Sequence, residues 1–399
     1  MSLNQVVRDV FKLEINPRIL LLFVCCCLYQ TSCASNRSYQ GLTPAAQVEQ
    51  ERRLTPTELI ITTESGTDLI AAQLFEQMDF RDVSAAGSGL LAWSGQTLAE
   101  VKAAGEFSKY VEQLKFDANV DRLVVSPSGK FVALSSFSLV RVFSLADGSE
   151  QARIMRVKGS FTALAFSKDE TQLAFGRSDG VAYVWKFLEQ DSARRRNVEE
   201  YRGARSPIVS LHFHPAGRTL LVVERSGVVR VWRLLTAEER LGVKDFGAIR
   251  EREARGLETK NVSVGIPKVL TSVFDEQREQ LIVLGAKGEL ASVKIRGFRV
   301  ILTGALTLNG ASALAVSDIG GAQLVLVGDR SGLLHIQCPV DGNFVSLGQL
   351  GRVGARAIGA IVNEAGRLWL LEKSGKLLTF KQNSLQQALQ ASAMFGQCD

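Results

Sequence analysis

Histidine is almost missing from this chain, 3 among 399 residues. That leaves little material for a multi-histidine metal centre or an imidazole general base. Methionine is 4 and proline 8. Cysteine is 6, and three of these are adjacent, Cys25-Cys26-Cys27, so a disulfide-dense scaffold is excluded. No Gly-x-x-x-x-Gly-Lys-Ser/Thr loop occurs, and no Gly-x-Ser-x-Gly has plausible partners. Gly87-Ser88-Gly89 and Gly320-Gly321 read as hairpin turns instead. Long apolar runs are lacking apart from one, which excludes a polytopic membrane protein. Strong charge of one sign is lacking too. The net charge of +6 is spread along the chain, so nucleic acid is not an expected partner. What remains is globular composition, with 46% hydrophobic and 22% charged residues and 35 glycines.

The single apolar run is Ile19 to Leu28, preceded by Arg8, Lys12 and Arg18. Ten residues are too few to span a bilayer core, which takes about 20. They match a signal-peptide hydrophobic region. Thr31-Ser32-Cys33 follows, and small residues just before a cysteine resemble the lipobox of bacterial lipoproteins. The resemblance implies cleavage after Ser32 and a diacylglycerol on Cys33. Gln30 departs from the aliphatic residue that the pattern carries there. Ordinary signal cleavage near Ala34, releasing a soluble protein, and an uncleaved anchor or core segment are the alternatives. With Ala34 rather than Asp after the cysteine, the resemblance implies an outer-membrane address facing the periplasm. Residues 33–56 are polar, with Gly41 and Pro44, and read as a flexible tether after a signal peptide at 1–32. Beyond Cys33 only Cys338 and Cys398 remain. One disulfide is allowed, and two unpaired thiols are the favoured reading.

The rest of the chain repeats. Copies start at 120, 161, 208, 270, 311 and 356, giving intervals of 41, 47, 62, 41 and 45 residues. Each copy has a short apolar strand and a polar turn such as Ser126-Pro127-Ser128-Gly129 or His214-Pro215-Ala216-Gly217. A second strand follows, then a tight turn ending in glycine: Gly180, Gly227, Gly288, Gly332 or Gly375. Glycine supplies the positive φ that such turns require. The third strand carries Trp185, Trp232 or Phe380 five residues after that glycine, and Phe143 holds the place in the first copy.

This pattern resembles the WD-repeat β-propellers over about residues 120–384. Lys186 and Arg233 stand where the family has Asp after Trp, and the family's Gly-His dipeptide is missing. The tetrad of hydrogen-bonded side chains known from regular blades is therefore expected to be mostly absent. Residues 57–118 suffice for one degenerate blade containing Leu90-Leu91-Ala92-Trp93. The expectation is an all-β, seven-bladed propeller of four-stranded blades over 57–384, with six to eight blades allowed. Leu59-Ile60-Ile61 is expected to close the ring on the last blade. A tail at 385–399 is expected as a short helix or a frayed end.

Candidate chemistry is sparse. His212 and His214 share one face of a strand, so both imidazoles could reach one metal ion, but packing and turn capping are the preferred reading. No metal and no cofactor is expected, and no catalytic residue is assigned. Trp185 and Trp232 are expected in blade cores. Two insertions follow third strands. One carries Arg194, Arg195, Arg196, Arg202 and Arg205, and is the candidate partner-binding element. The other spans about 234–260 with mixed charge, and both are expected to project from one side. The resulting expectation is a non-catalytic, lipid-anchored scaffold or accessory subunit of a bacterial cell-envelope assembly. It would bind proteins and reach the membrane through its lipid. A secreted or periplasmic propeller enzyme, a hydrolase or lyase using the central channel, is the alternative.

Overall fold

Alternating side chains at period two make the strands, and glycines at positive φ make the turns between them. The computed structural model describes residues 54–398 except for 64–65, 76–81, 86–89, 94–97, 102–106, 109–119, 137–138, 156–159, 189–197, 235–257, 309, 365 and 391–393. The signal segment 1–32, Cys33, the tether up to residue 53 and Gly87-Ser88-Gly89 lie outside the described residues.

An N-terminal hairpin comes first, β1 (Leu54–Thr63) and β2 (Gly66–Phe75). Blade 1 is β3 (Asp82–Ala85), β4 (Leu90–Trp93), β5 (Leu98–Val101) and β6 (Phe107–Ser108). Blade 2 is β7 (Arg122–Val125), β8 (Phe131–Ser136), β9 (Leu139–Ser144) and β10 (Glu150–Met155). Blade 3 is β11 (Phe161–Phe166), β12 (Leu173–Arg177), β13 (Ala182–Trp185) and β14 (Val198–Tyr201). Blade 4 is β15 (Ile208–Phe213), β16 (Thr219–Glu224), β17 (Val228–Arg233) and β18 (Glu258–Ser263). Blade 5 is β19 (Val269–Asp275), β20 (Gln280–Gly285), β21 (Glu289–Lys294) and β22 (Arg299–Ala305). Blade 6 is β23 (Ala311–Ile319), β24 (Ala322–Asp329), β25 (Leu334–Val340) and β26 (Asn343–Gly351). Blade 7 has β27 (Ile358–Glu364), β28 (Arg367–Glu372) and β29 (Leu377–Lys381), and takes β2 as its fourth strand.

The seven blades close into a ring. The first strands β3, β7, β11, β15, β19, β23 and β27 each approach the next, and β27 returns to β3. Buried apolar clusters lie between neighbouring blades all the way round, with Trp369 and Leu371 of blade 7 packed on Leu90 and Ala92 of blade 1. Second strands are sandwiched on both faces, which is why β8, β12 and β24 are buried at every residue. Trp185, Trp232, Phe143 and Phe380 fill these interfaces, and Trp232 stacks on Tyr201 of the preceding blade at 5.3 Å.

Ring closure differs from the expectation in one respect. The strand paired with the last blade is β2, with Leu74 opposite Leu378. Leu59-Ile60-Ile61 sits in β1, which pairs with β2 on one side and with β26 of blade 6 on the other. The hairpin is continuous in register, so the strand nearer blade 1 in sequence takes the blade 7 edge and β1 falls outside it. Both strands then have partners, and the open edges of blades 6 and 7 are covered.

The cysteines also depart from the favoured reading. Cys338 on β25 and Cys398 form a disulfide. The tail is docked rather than frayed. Helix α1 (Gln382–Gln390) buries Leu385 and Leu389, spaced i and i+4, in the cluster of blades 6 and 7. The disulfide then ties the chain end to blade 6, bringing two residues that are 60 apart in sequence together.

Candidate functional site

The two edges of the ring are chemically different. One edge carries the turns between second and third strands together with the connections between blades, and is called the turn face here. A single backbone bond repeats on it in five blades. The residue two before the turn glycine donates its amide to the carbonyl just before its own first strand. The pairs are Ser178 to Ser160, Arg225 to Pro207, Ala286 to Lys268, Arg330 to Gly310 and Lys373 to Ala357. These turns and connections therefore form one continuous rim.

Beneath that rim lie acid–base pairs that the sequence reading missed. Glu224 closes β16 and pairs with Arg230 on β17 at 2.5 Å, both buried. Its other oxygen accepts the Arg205 amide at 3.0 Å. Asp329 holds the equivalent place in blade 6 and pairs with His335 at 3.1 Å. Burial pushes the Asp329 carboxyl up, but bonds from Ser331, His335 and the Leu333 amide outweigh it and hold the pKa below the ordinary value. Glu372 of blade 7 pairs with Arg352, which reaches over from the connection leaving blade 6. In blade 3 the signs are exchanged: Arg177 ends β12 and bonds Asp179 and the Tyr183 hydroxyl. The signal was present in the sequence. Glu224 and Arg230, and Asp329 and His335, each stand three residues before and three after a turn glycine.

The carboxylates in these turns and connections are Asp179, Glu224, Glu289, Asp329 and Glu372. All are engaged, since Glu289 accepts the Lys287 amide at 3.0 Å. The exposed cations are not. Blade 4 and its flanking connections present Arg205, Arg225 and Lys268. Blades 5, 6 and 7 present Lys287, Arg330 and Lys373, with Arg356 between blades 6 and 7. Among the described residues none of these seven side chains has an ion pair. Two apolar side chains lie open on the same face: Leu270 on the innermost strand β19, 36% exposed, and Val353, 89% exposed.

The opposite edge, which carries the turns between first and second strands, has contacts that cross from blade to blade. Ser128 of blade 2 bonds Glu170 of blade 3, and Lys168 pairs with Glu276 at 2.7 Å. Arg278 of blade 5 pairs with Asp318 of blade 6 at 2.7 Å. Gln323 of blade 6 bonds Asp275 of blade 5, and Asn363 bonds Ser317 at 2.7 Å.

Of the candidate arginines, Arg202 and Arg205 are among the described residues. Arg194, Arg195 and Arg196 lie outside the described residues, in the connection from β13 to β14. Arg202 and Arg205 follow β14, so they leave the blade at its other end. Residues 198–201 of the supposed insertion form a fourth strand paired with β13. Arg202 pairs with Glu200 at 2.5 Å, which raises its pKa, whereas Arg205 joins the turn-face cations. The insertion after Trp232 links β17 to β18, and its residues 235–257 lie outside the described ones. His214 accepts the Ala216 amide on Nδ1 at 3.2 Å and so caps its turn. His212 bonds Ser272 Oγ of the next blade at 2.9 Å, and burial lowers its pKa to about 4. Among the described residues no group of three or more His, Cys, Asp or Glu side chains is placed to hold a metal.

A closed ring of four-stranded antiparallel blades with glycine hairpins between second and third strands is a β-propeller. The WD domain, G-beta repeat family matches residues 195–233, which is β14 through β17. The chain is 34% identical over 121 residues to the Target of rapamycin complex subunit wat1 of Schizosaccharomyces pombe, covering 30% of this chain and 36% of that protein. It is 28% identical over 107 residues to the human WD repeat and HMG-box DNA-binding protein 1, covering 27% of this chain and 9% of that one. In the Periodic tryptophan protein 2 homolog of Schizosaccharomyces pombe, 157 residues are 26% identical, 38% of this chain and 17% of that protein. The chain thus spans well under half the length of these curated relatives. A chain from the crystal structure of a Mitotic Checkpoint Complex superposes with TM-score 0.60 at 12% identity, covering 86% of this chain and 97% of that one, and shares the fold.

Proposed function

We propose that this propeller is a non-catalytic protein-interaction scaffold, held at a bacterial cell envelope through a lipid on Cys33. The observation that carries the scaffold reading is the rim itself. Its buried carboxylates and their partners are committed to holding the hairpins, while its exposed side chains form a broad surface on a closed ring. Such a ring offers a partner a large area with little conformational entropy to lose on binding. The relatives point the same way by name: wat1 is a complex subunit, and the superposable chain comes from a checkpoint complex. The envelope address rests on the run Ile19 to Leu28, on Thr31-Ser32-Cys33 and on the Cys338–Cys398 disulfide, which suits an oxidising compartment.

The test is detergent co-purification of the full-length protein from its native cells, beside Cys33→Ala. The proposal expects the parent in the membrane fraction with a reproducible set of proteins, and the variant in the soluble fraction. Identical fractionation of the two ends the lipid reading. A parent that brings down nothing reproducible ends the scaffold reading.

A further inference from the structure

From the connection after blade 3 through blade 7, exposed cations predominate on the turn face. Asp179, Glu224, Asp329 and Glu372 are held by local side-chain partners and Glu289 by the Lys287 amide, while Arg205, Arg225, Lys268, Lys287, Arg330 and Lys373 are exposed without ion pairs among the described residues. On the opposite edge two ion pairs, Lys168 with Glu276 and Arg278 with Asp318, cross between blades. Cations left unpaired on one edge repel one another at a range of about 10 Å at 0.1 M salt, and an anionic partner relieves that repulsion.

We propose that the turn face of blades 3 to 7 docks an acidic segment of a partner polypeptide, with Leu270 and Val353 as apolar contacts inside the cationic rim. The proposal rests on the scaffold reading and deepens it by naming the face and the chemistry of the partner. Three observations favour a polypeptide over other polyanions. The cations are distributed one or two per blade around a rim, rather than in a track that follows a phosphate backbone. The exposed large apolar side chains are aliphatic, Ile60, Leu69, Leu188, Leu270 and Val353, so this face shows no aromatic platform for stacking bases among the described residues. Leu270 stands on the innermost strand at the channel mouth, which an inserted side chain reaches and a flat bilayer surface does not. An aliphatic anchor surrounded by charged groups is the usual anatomy of a protein interface.

The experiment uses the full-length protein in native cell extract treated with nuclease. A carbodiimide joins lysine amines directly to carboxylates that touch them. The proposal expects amide cross-links from Lys268, Lys287 or Lys373 to an Asp/Glu-rich stretch of one partner, located by mass spectrometry. The triple variant Arg225→Glu/Arg330→Glu/Lys373→Glu is expected to lose that partner at least tenfold. Arg218→Glu, an exposed cation on the opposite edge, is expected to retain it. Thermal unfolding of each variant checks that the ring is intact, and single reversals replace the triple if it is not. Partners that survive the reversals, or cross-link only through the opposite edge, overturn this inference and leave the scaffold reading standing. Loss of the partner on nuclease treatment overturns it in favour of nucleic acid. Flotation with phosphatidylglycerol vesicles that is abolished by the reversals, without any protein cross-link, overturns it in favour of a lipid surface. An extract in which neither parent nor variants capture a protein overturns both readings together.

Discussion

Arg230 on β17 reaches back across the hairpin to Glu224 at the end of β16, and the two are buried together at the rim of blade 4. The same carboxylate takes the Arg205 amide and the Ser226 hydroxyl, so one side chain binds the turn, the next strand and the incoming connection. Removing one partner strands a charge in a place that water cannot reach.

Glu224→Gln is therefore expected to destabilise the protein by about 3–5 kcal/mol, the usual effect of orphaning a buried charge. Glu224→Gln/Arg230→Met is expected to recover most of that loss, because it removes both charges. Urea unfolding of the parent and the two variants decides the matter. If the single variant falls within 1 kcal/mol of the parent, about the worth of an exposed pair, the pair is not structural.

Reduction should act on the chain end. The Cys338–Cys398 disulfide closes a 60-residue span and holds the stretch after α1 against blade 6. Cys398→Ser is expected to cost about 2–4 kcal/mol under oxidising conditions and nothing further under reductant. Limited proteolysis should then cut near Met394 in the variant and spare the parent. Equal protection of both would show that Leu385 and Leu389 alone hold the tail.

Two turn glycines separate conformation from space. Gly217 and Gly227 both have positive φ, 74° and 85°. A Cβ at Gly217 meets nothing within 4 Å, whereas one at Gly227 meets the Ile266 carbonyl oxygen at 2.2 Å. Gly217→Ala is expected to cost about 1 kcal/mol for the left-handed backbone alone. Gly227→Ala must also push the β18–β19 connection away, and is expected to cost at least twice as much in the same unfolding assay.

The repeat was readable because glycine turns and period-two strands recur at blade spacing, and residues that local rules govern were placed well. Trp185 and Trp232 lie in blade interfaces, as their offset from the turn glycine indicated. What was not readable depends on non-local pairing. The choice of β2 over β1 as the closing strand turns on which edge of blade 7 the hairpin meets, and both strands have the right pattern. The Cys338–Cys398 bond depends on how α1 docks, which spacing does not reveal. Val198-Glu199-Glu200-Tyr201 is too short and acidic to announce a strand, yet it pairs with β13, and Arg202 and Arg205 follow it on the connection to blade 4. The cation-rich rim was hidden for a related reason. Its cations are scattered at blade spacing along the sequence and meet only when the ring closes.

His212 gives the clearest pH dependence. Its side chain lies on the channel wall between blades 4 and 5, bonded to Ser272 and tilted against Phe274 with ring centres 6.4 Å apart. Burial lowers its pKa to about 4, against an ordinary 6.5. Between those values the unfolded chain binds a proton that the folded chain refuses. The stability contribution is therefore complete above pH 6.5, falls as pH drops towards 4, and is flat below. The shift is worth at most about 3 kcal/mol, an upper figure because the ring keeps some exposure to the channel. His212→Gln retains a hydrogen-bonding group and has no proton to gain. Unfolding free energies of the two proteins, measured from pH 7.5 to 4, should differ by an amount that changes through this window, with the parent losing stability faster than the variant. Below pH 4 the difference should stop changing, since carboxylates such as Asp329 then titrate equally in both proteins. A difference that stays constant from pH 7.5 to 4 would show that His212 titrates as it does in the unfolded chain, and that the channel wall is open to water at this level.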